Sequence, residues 1–208
     1  MNEAQALREI EKIVSRETME RFLLLHKALV LWSRRFNLVA PASLAHFWFR
    51  HILDSVQLFG LAPRQAKVWL DFGSGAGFPG MVLAIMLRER PGGQMILVES
   101  NGKKASFLQH CVRITGAPAT VLQQRIEDTK IKPVSVITAR AVADLGQLLT
   151  WSEPISDSDT VLLFPKGKNV EQELDLARES WEIECHVLGS CTEPGAGIVK
   201  VRKFNRVQ

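Results

Sequence analysis

The chain has 208 residues, 46% hydrophobic and 23% charged, a composition typical of a folded globular domain with an extension. It has no run of about 18 apolar residues, no signal-peptide pattern and only three widely spaced cysteines without a CxxC motif, so we expect a cytoplasmic protein with no membrane span, no disulfide framework and no metal. The net charge of +4 with a pI of about 9.1 is a mild indication of a polyanionic partner.

The first 66 residues are predicted to form a helical extension. A stripe of apolar residues beginning at Leu7 fits a first helix, and a longer helix is predicted from Arg16 to Phe36, with Ser15 as its cap. Asn37 and Pro41 are expected to end it. Two short helices complete the extension, at Ser43–Phe49 and Leu53–Phe59.

Residues 67–208 alternate short apolar runs with helical segments, which predicts a mostly parallel sheet with helices on both faces. The last two strands follow each other without a helix, so one of them is expected to be antiparallel. The predicted strands are Val68–Phe72, Met95–Glu99, Ala119–Gln123, Val134–Thr138, Thr160–Phe164, Glu182–Leu188 and Ile198–Lys203. The predicted helices are Pro79–Arg88, Lys103–Thr115, Leu145–Trp151 and Val170–Glu179.

Basic residues concentrate in two segments. Six Lys or Arg residues lie between positions 26 and 67 against one acid, and four lie between position 197 and the end against none. Each segment is either a solvated basic face or a surface for a polyanion, and the charge pattern alone leaves both possibilities open.

A glycine-rich loop, LDFGSGAGFPGM, follows the first predicted strand. Gly73-x-Gly75-x-Gly77 is one pattern within it, and Gly75-x-Gly77-x-x-Gly80 is formally a dinucleotide fingerprint. Both expect an acid at the end of the second strand for the ribose hydroxyls, and Glu99 is there. An ordinary tight turn is the alternative without a ligand. Asp71, two residues before the first glycine, favours S-adenosyl-L-methionine (AdoMet) over a dinucleotide.

Several segments resemble the bacterial small-subunit ribosomal RNA methyltransferase G family, also called glucose-inhibited division protein B. They are DFGSGAGFPG, VESNGKKASFLQ, QQRIED and ITARAVADL, with LWSRRFNLVAP and RHILDS upstream. The resemblance runs from about Phe22 to Lys168. It implies an α/β fold, namely a Rossmann-like class I AdoMet-dependent methyltransferase with a seven-stranded, mostly parallel sheet. The implied reaction is methylation of N7 of a guanosine in 16S rRNA of the small ribosomal subunit, by a protein that we expect to be a monomer.

The resemblance also implies the site residues. Arg140 is expected beside the cofactor and the target base, as the catalytic residue. Cofactor contacts are implied for Gly73, Gly75, Phe78, Glu99, Ile126, Glu127 and Arg140. Among them, Gly73 and Phe78 are expected against the methionine part of AdoMet, and Ile126 and Glu127 are expected to flank its adenine. RNA contacts are expected from Arg34, Arg35, Lys103, Lys104, Lys166 and Arg202. The chain departs from the family where FPKG replaces the usual LKG, and where GAGIVKVRK lacks the arginine that often opens the last strand, so an RNA contact there is open.

Other functions stay possible at this stage: an AdoMet-dependent methyltransferase acting on another RNA or a small molecule, a nicotinamide-dependent oxidoreductase, and an RNA-binding module with an inactive site. Guanine N7 carries no proton, so its methylation needs alignment rather than a general base. His51 and Asp54, three residues apart in RHILDS, are interpreted as a packing pair in preference to a substrate contact.

Overall fold

The structure is a computed structural model that describes residues 1–207, with Pro41 described by its backbone only. The predicted helical extension is present. It comprises α1 (Glu3–Ile13), α2 (Arg16–Ser33), α3 (Pro41–Leu44), a π-helix (Phe47–Leu53) and α4 (Asp54–Leu61). The Ser15 side chain caps α2 by accepting the Thr18 N–H, as predicted. The helix ends at Ser33, three residues earlier than expected, and the predicted break between the two short helices is instead a continuous passage from the π-helix into α4.

The remaining chain forms one sheet flanked by helices. The strands are β1 (Val68–Phe72), β2 (Gln94–Val98), β3 (Ala119–Leu122), β4 (Val136–Ala139), β5 (Val161–Lys166), β6 (Trp181–Gly189) and β7 (Gly197–Arg206). The helices are α5 (Gly80–Met86), α6 (Gly102–Thr115), α7 (Leu145–Ser152) and α8 (Val170–Arg178).

The strand order is β3-β2-β1-β4-β5-β7-β6. The first five strands pair in parallel, and β7 runs antiparallel to both β5 and β6. This confirms the predicted mostly parallel sheet and the single reversed strand. Within residues 1–207, no helix combines the length and the apolar character that crossing a bilayer requires.

The extension packs on one face of the sheet and shares that face's hydrophobic core. Phe22, Leu25 and Leu29 of α2 are fully buried in the same cluster as α5 and α6 residues. Trp32 near the end of α2 contacts the Phe107 ring of α6 at 5.6 Å between centroids. Because of this packing, the end of α2 and the π-helix reach the carboxyl edge of the sheet.

A buried acid fixes the start of α5 against the sheet. Asp71 in β1 is fully buried, and its Oδ1 accepts a hydrogen bond of 2.6 Å from the Thr138 hydroxyl. Burial raises the pKa of Asp71 to about 6 against the opposing effect of its hydrogen bonds. Gly80 opens α5 directly above this carboxyl group. A Cβ atom on Gly80 would lie 2.6 Å from both the Asp71 Cγ and the Leu97 Cδ2 atoms, so only glycine permits this approach.

We therefore expect Gly80→Ala to lower the free energy of unfolding by about 1–3 kcal/mol, the usual cost of overpacking a core. Urea unfolding followed by circular dichroism measures it. Gly60→Ala in α4 is the matched control, because a Cβ there meets no atom within 4 Å and alanine favours the helix by up to about 1 kcal/mol. Equal effects of the two substitutions would contradict the steric argument.

Candidate active site

The glycine loop lies where the strand order reverses. From β1 the sheet proceeds to β2 and β3 on one side and to β4 and β5 on the other, and such a switch point opens a crevice at the carboxyl ends of the strands. Gly73, Gly75 and Gly77 have φ values of 56°, 56° and 93°, a region that favours glycine. A Cβ on Gly73 would also lie 2.8 Å from a Val142 methyl group. The loop therefore presents bare backbone to the crevice.

Glu99 ties this loop to the end of β2. One carboxylate oxygen accepts the Gly75 N–H at 2.8 Å, and the other accepts the Asn101 N–H at 2.7 Å. The residue is only 7% exposed. A carboxylate has about four lone-pair positions, so Glu99 can still accept hydrogen bonds from a ribose diol while it holds the loop. This geometry fits the contact with ribose hydroxyls that the sequence predicts for Glu99.

Ile126 and Glu127 lie in the turn that follows β3. The Ile126 side chain is half-buried and its carbonyl accepts the Thr129 N–H, whereas its own N–H has no partner among residues 1–207. The Glu127 side chain is exposed. The free N–H suits the predicted contact with an adenine ring, and the roles of both residues stay predictions.

Arg140 follows β4 and joins it to the extension. Its Nη1 donates to the Asp54 Oδ2 at 2.7 Å and to the Arg50 carbonyl at 3.0 Å, and its Nη2 lies 3.3 Å from the His51 Nδ1. Neither ion-pair side chain is more than 21% exposed. The protein itself thus holds the guanidinium through three polar contacts. The predicted catalytic contact of Arg140 with the base stays a prediction.

The same contacts determine the state of His51. Arginine can only donate, so the His51 Nδ1 is the acceptor and its Nε2 carries the hydrogen. That Nε2 is buried without a partner among the described residues. Burial, followed by the charges of Arg140 and Arg50, lowers the pKa of His51 to about 4, which leaves the ring neutral at neutral pH.

The Phe78 ring is the aromatic contact between the glycine loop and the extension. It stacks on the His51 ring at 4.4 Å between centroids and packs edge-on against Phe47 at 6.1 Å. Only 6% of Phe78 is exposed. Its predicted contact with the methionine part of AdoMet stays a prediction, since most of the ring faces protein.

Asp54 also fastens the loop between β6 and β7, which the sequence did not indicate. Its Oδ1 accepts the Thr192 hydroxyl at 2.7 Å and the Gln57 side-chain amide at 2.9 Å. His51 and Asp54 thus both contact Arg140, and Asp54 in addition holds the β6–β7 loop through Thr192.

Two predicted basic groups come together on the cofactor side. Arg34 and Arg35 are exposed just beyond α2, and Lys103 and Lys104 open α6. The Lys103 Nζ lies 5.5 Å from the centre of the ring of Phe36, the residue next to Arg35. The start of α6 and the end of α2 therefore lie close together, and we call Arg34, Arg35, Lys103 and Lys104 the basic surface.

Lys166 and Arg202 are placed differently from the prediction. The Lys166 Nζ lies 2.7 Å from a Glu173 carboxylate oxygen and donates to the Ala143 carbonyl, with its side chain only 8% exposed. Arg202 is exposed but follows Val201, which pairs with Leu162 near the start of β5. Because β7 is antiparallel, this position lies toward the sheet edge opposite the glycine loop, and the RNA contact of Arg202 stays a prediction.

A cleft of 890 Å³ adjoins the cofactor side across Arg140 and His51. One wall belongs to the extension and includes Ala40, His46 and Arg50, and the other to the ends of β4 and β5 and the β6–β7 loop. The glycine loop and Glu99 do not line this cleft. The carboxyl edge of the sheet thus has two parts on either side of Arg140 and His51, namely the glycine loop with Glu99 and this cleft.

We expect His51 to make stability depend on pH. Its pKa moves from 6.5 to about 4 on folding, so the unfolded chain binds more protons between these values. The contribution of His51 to the free energy of unfolding is complete above about pH 6.5. It falls by up to about 3 kcal/mol as the pH is lowered toward 4. Urea unfolding of the wild type and His51→Gln should give a stability difference that shrinks between about pH 7.5 and about pH 4.5.

The wild type and His51→Gln must be compared at each pH because Asp71 changes stability with pH in the opposite direction. The pKa of Asp71 is raised on folding, so its contribution to stability falls as the pH rises. His186→Gln is the control, since His186 is exposed on β6. A wild-type minus His51→Gln difference that stays constant with pH would contradict the assignment of a neutral, buried ring.

Comparisons with solved structures agree with this architecture. A SAM-dependent methyltransferase from Aquifex aeolicus has a TM-score of 0.59 at 15% identity, covering 83% of this chain and 97% of that chain. A putative O-methyltransferase from Klebsiella pneumoniae has a TM-score of 0.58 at 14% identity, covering 96% and 95%. At such identities the likeness concerns the fold, and it confirms the predicted class I methyltransferase fold.

The sequence comparisons are more specific. A family model described as rRNA small subunit methyltransferase G matches residues 17–197. The ribosomal RNA small subunit methyltransferase G of Parvibaculum lavamentivorans is 47% identical over 191 residues, which cover 91% of this chain and 84% of that protein. The protein of the same name from a Methylobacterium species is 48% identical over 195 residues, 92% of each chain. The chain therefore belongs to the rRNA small subunit methyltransferase G family, as its motifs indicated.

Proposed function

We propose that this protein transfers the methyl group of AdoMet to N7 of a guanosine in the 16S rRNA of the small ribosomal subunit, and that it acts as a monomer in the cytoplasm. The observation that carries the proposal is the Gly75–Glu99 hydrogen bond of 2.8 Å at the switch point. It joins a loop of bare backbone to an acid placed for a ribose. Membership of the methyltransferase G family supplies the choice of rRNA as substrate.

The residues that would hold AdoMet are already organised. Gly73 and Gly75 offer backbone without a side chain between them and the ligand, Glu99 offers carboxylate lone pairs, and Ile126 offers a free N–H. When bound, AdoMet supplies an electrophilic methyl group on a sulfonium. The enzyme's own contribution is to orient the acceptor toward that methyl group and to exclude water.

The residues beside the switch point suit the methylation of a neutral base. Guanine N7 has a lone pair and no proton, so no group needs to remove one. His51 stays neutral because of its lowered pKa, and the charge of Arg140 is balanced by Asp54 at 2.7 Å. His51 and Arg140 therefore add no uncompensated cation where the product ring becomes positively charged.

The basic surface of Arg34, Arg35, Lys103 and Lys104 suits the RNA backbone. It lies at the cofactor side of the crevice, and α6 begins there with its N-terminus capped by Asn101, whose side chain accepts the Lys103 and Lys104 N–H groups. Contacts of such cations with phosphates position RNA without reading its sequence. Choice of one guanosine must then come from the shape of the RNA and of the cleft.

Incubation with methyl-labelled AdoMet tests the proposal directly. We expect label to enter 16S rRNA, supplied as small subunits or as free rRNA from cells that lack this gene. The labelled position should become cleavable by borohydride reduction and aniline, which is the signature of an N7-methylated guanosine. Absence of label from both substrates would overturn the proposal.

The same assay separates the alternatives. Label in another RNA would indicate a methyltransferase that acts on that RNA. Label in a small molecule of a cell extract, whether or not RNA is added, would indicate a methyltransferase that acts on small molecules. Calorimetry with NAD(H) and AdoMet distinguishes the oxidoreductase, because the glycine loop alone fits both ligands.

We expect Glu99→Gln to weaken AdoMet binding about tenfold or more. The substitution removes the charge from hydrogen bonds to the ligand, which are worth about 1.5–3 kcal/mol each, and it loosens the loop at Gly75. Calorimetric titration measures the Kd. Glu182→Gln on β6 is the control, since Glu182 is exposed and lies far along the sheet from the loop. An unchanged Kd for Glu99→Gln would show that this acid does not touch the cofactor.

A further inference from the structure

Three aromatic rings lie where α2 ends against α6, next to the basic surface. They belong to Trp32 in the last turn of α2, Phe36 in the turn that follows it and His110 of α6, and we call them the aromatic cluster. The centre of the Trp32 ring lies 5.8 Å from that of Phe36 and 5.5 Å from that of His110. All three residues are only partly buried, so the cluster remains accessible from solvent.

The cluster is held in a fixed position by the fold. The Trp32 ring packs edge-on against the buried Phe107 ring at 5.6 Å between centroids. The Phe36 N–H donates to the Trp32 carbonyl at 2.9 Å, and the Phe36 carbonyl accepts the Leu38 N–H at 2.8 Å. Leu38 is 7% exposed and anchors this turn in the core. A surface that is already ordered loses little conformational entropy when a ligand binds to it.

The positive charge around the cluster is not neutralised by the protein. Residues 21–53 and 100–126, which include the end of α2 and all of α6, contain no Asp or Glu. Among the residues that the structure describes, the four cations of the basic surface make no ion pair. The Lys103 Nζ lies 5.5 Å from the centre of the Phe36 ring, within the distance of about 6 Å for a cation–π contact. Aromatic rings and unpaired cations thus share one surface.

The far end of the sheet shows the contrasting arrangement. Trp181 of β6 and Phe204 of β7 also form an aromatic pair, with 5.6 Å between ring centroids, and the Arg206 guanidinium lies 4.6 Å from the centre of the Trp181 ring. That arginine, however, is paired with Glu153 at 2.9 Å. An acid therefore balances the cation there, whereas the cations at the aromatic cluster are left for an anion from outside the chain.

Rings and cations in this combination suit an unpaired RNA strand. Bases that are not in a helix stack on aromatic side chains while cations contact the phosphates, and bases within a double helix are not available for such stacking. We propose that the aromatic cluster stacks an unpaired base of the RNA substrate, and that the basic surface holds the phosphates of the same strand. The inference rests on the proposed function for the identity of the RNA, and it adds an unpaired segment as the substrate class.

The stacked base is a second base, apart from the guanosine that is methylated, since the cluster shares no residue with the predicted cofactor contacts. The two places are nevertheless connected through the start of α6. This helix begins at Gly102, three residues after Glu99, and the Asn101 N–H between them donates to Glu99 at 2.7 Å. A strand anchored on the cluster and at Lys103 is therefore held on the side of the sheet where the cofactor is expected.

The probes are an oligouridylate of about 12 nucleotides, which is within the usual site sizes for single strands, and an abasic RNA of the same length. Phe36→Leu keeps an apolar side chain but removes the ring. We expect it to raise the Kd for the oligouridylate about fivefold or more, the effect of losing one stacked base. The Kd for the abasic RNA should not change. Phe36→Tyr, which keeps a ring, should bind both RNAs as the wild type does. Fluorescence anisotropy measures each Kd.

Phe204→Leu is the matched control, because Phe204 is a partly buried ring beside a tryptophan at the other end of the sheet. It should leave both Kd values unchanged. Equal weakening of both RNAs by Phe36→Leu would show a structural role for this ring and refute stacking. Weakening of the oligouridylate alone by Phe204→Leu to the same extent would refute the assignment to the aromatic cluster.

The salt dependence of oligouridylate binding separates the rings from the cations. Losing one phosphate contact reduces the slope of log K against log salt by about 0.7 for a single strand, and we expect this for Lys103→Gln. Phe36→Leu should keep the slope of the wild type, because it removes no charge. A reduced slope for Phe36→Leu would contradict the division of roles.

The two proposals can fail separately. If 16S rRNA is labelled while Phe36→Leu binds the oligouridylate as the wild type does, the stacking site is wrong and the proposed function stands. If Phe36→Leu loses affinity for the oligouridylate alone and 16S rRNA accepts no label, the aromatic cluster binds unpaired RNA and the proposed function is wrong.

Discussion

The site depends on the ion pair between Arg140 and Asp54. Both side chains are largely shielded from water, at 21% and 16% exposed, so their attraction is stronger than that of a surface pair. Such a pair contributes less to stability than to geometry, because its desolvation offsets much of the attraction. Here it joins the end of β4, the start of α4 and, through Thr192, the β6–β7 loop. The shape of the cleft follows from this junction.

The junction also lies between two parts of the carboxyl edge of the sheet that are built differently, the glycine loop with Glu99 and the 890 Å³ cleft. The cofactor side is built mainly from backbone, with three glycines at positive φ and an acid, Glu99, that accepts the N–H of one of them, Gly75. The cleft, by contrast, is lined by side chains of segments that are distant in sequence.

The glycine loop and its contact with Glu99 could be predicted from the sequence because they lie on consecutive strands. The glycines follow β1 directly, and Glu99 ends the next strand, so strand periodicity and spacing suffice. The cleft could not be predicted, because its contacts join residues that are far apart in the sequence. Asp54 and Thr192, for example, are 138 positions apart. The position of Arg202 could not be predicted for a related reason: its distance from the glycine loop is determined by the antiparallel register of β7, which periodicity does not reveal. Lys166 was located at the correct strand end, but its pairing with Glu173 depends on how α8 packs.

The neutral state of His51 follows from the same junction and bears on the chemistry. A protonated ring would place a second cation against Arg140, from which it accepts a hydrogen bond through Nδ1, and that hydrogen bond would be lost. Burial and the neighbouring arginines together keep its pKa near 4. The proton then stays on Nε2, a buried donor with no partner among residues 1–207. An unsatisfied buried donor costs about 1–3 kcal/mol, so the contacts of Arg140 and Asp54 hold this ring in place against an energetic penalty.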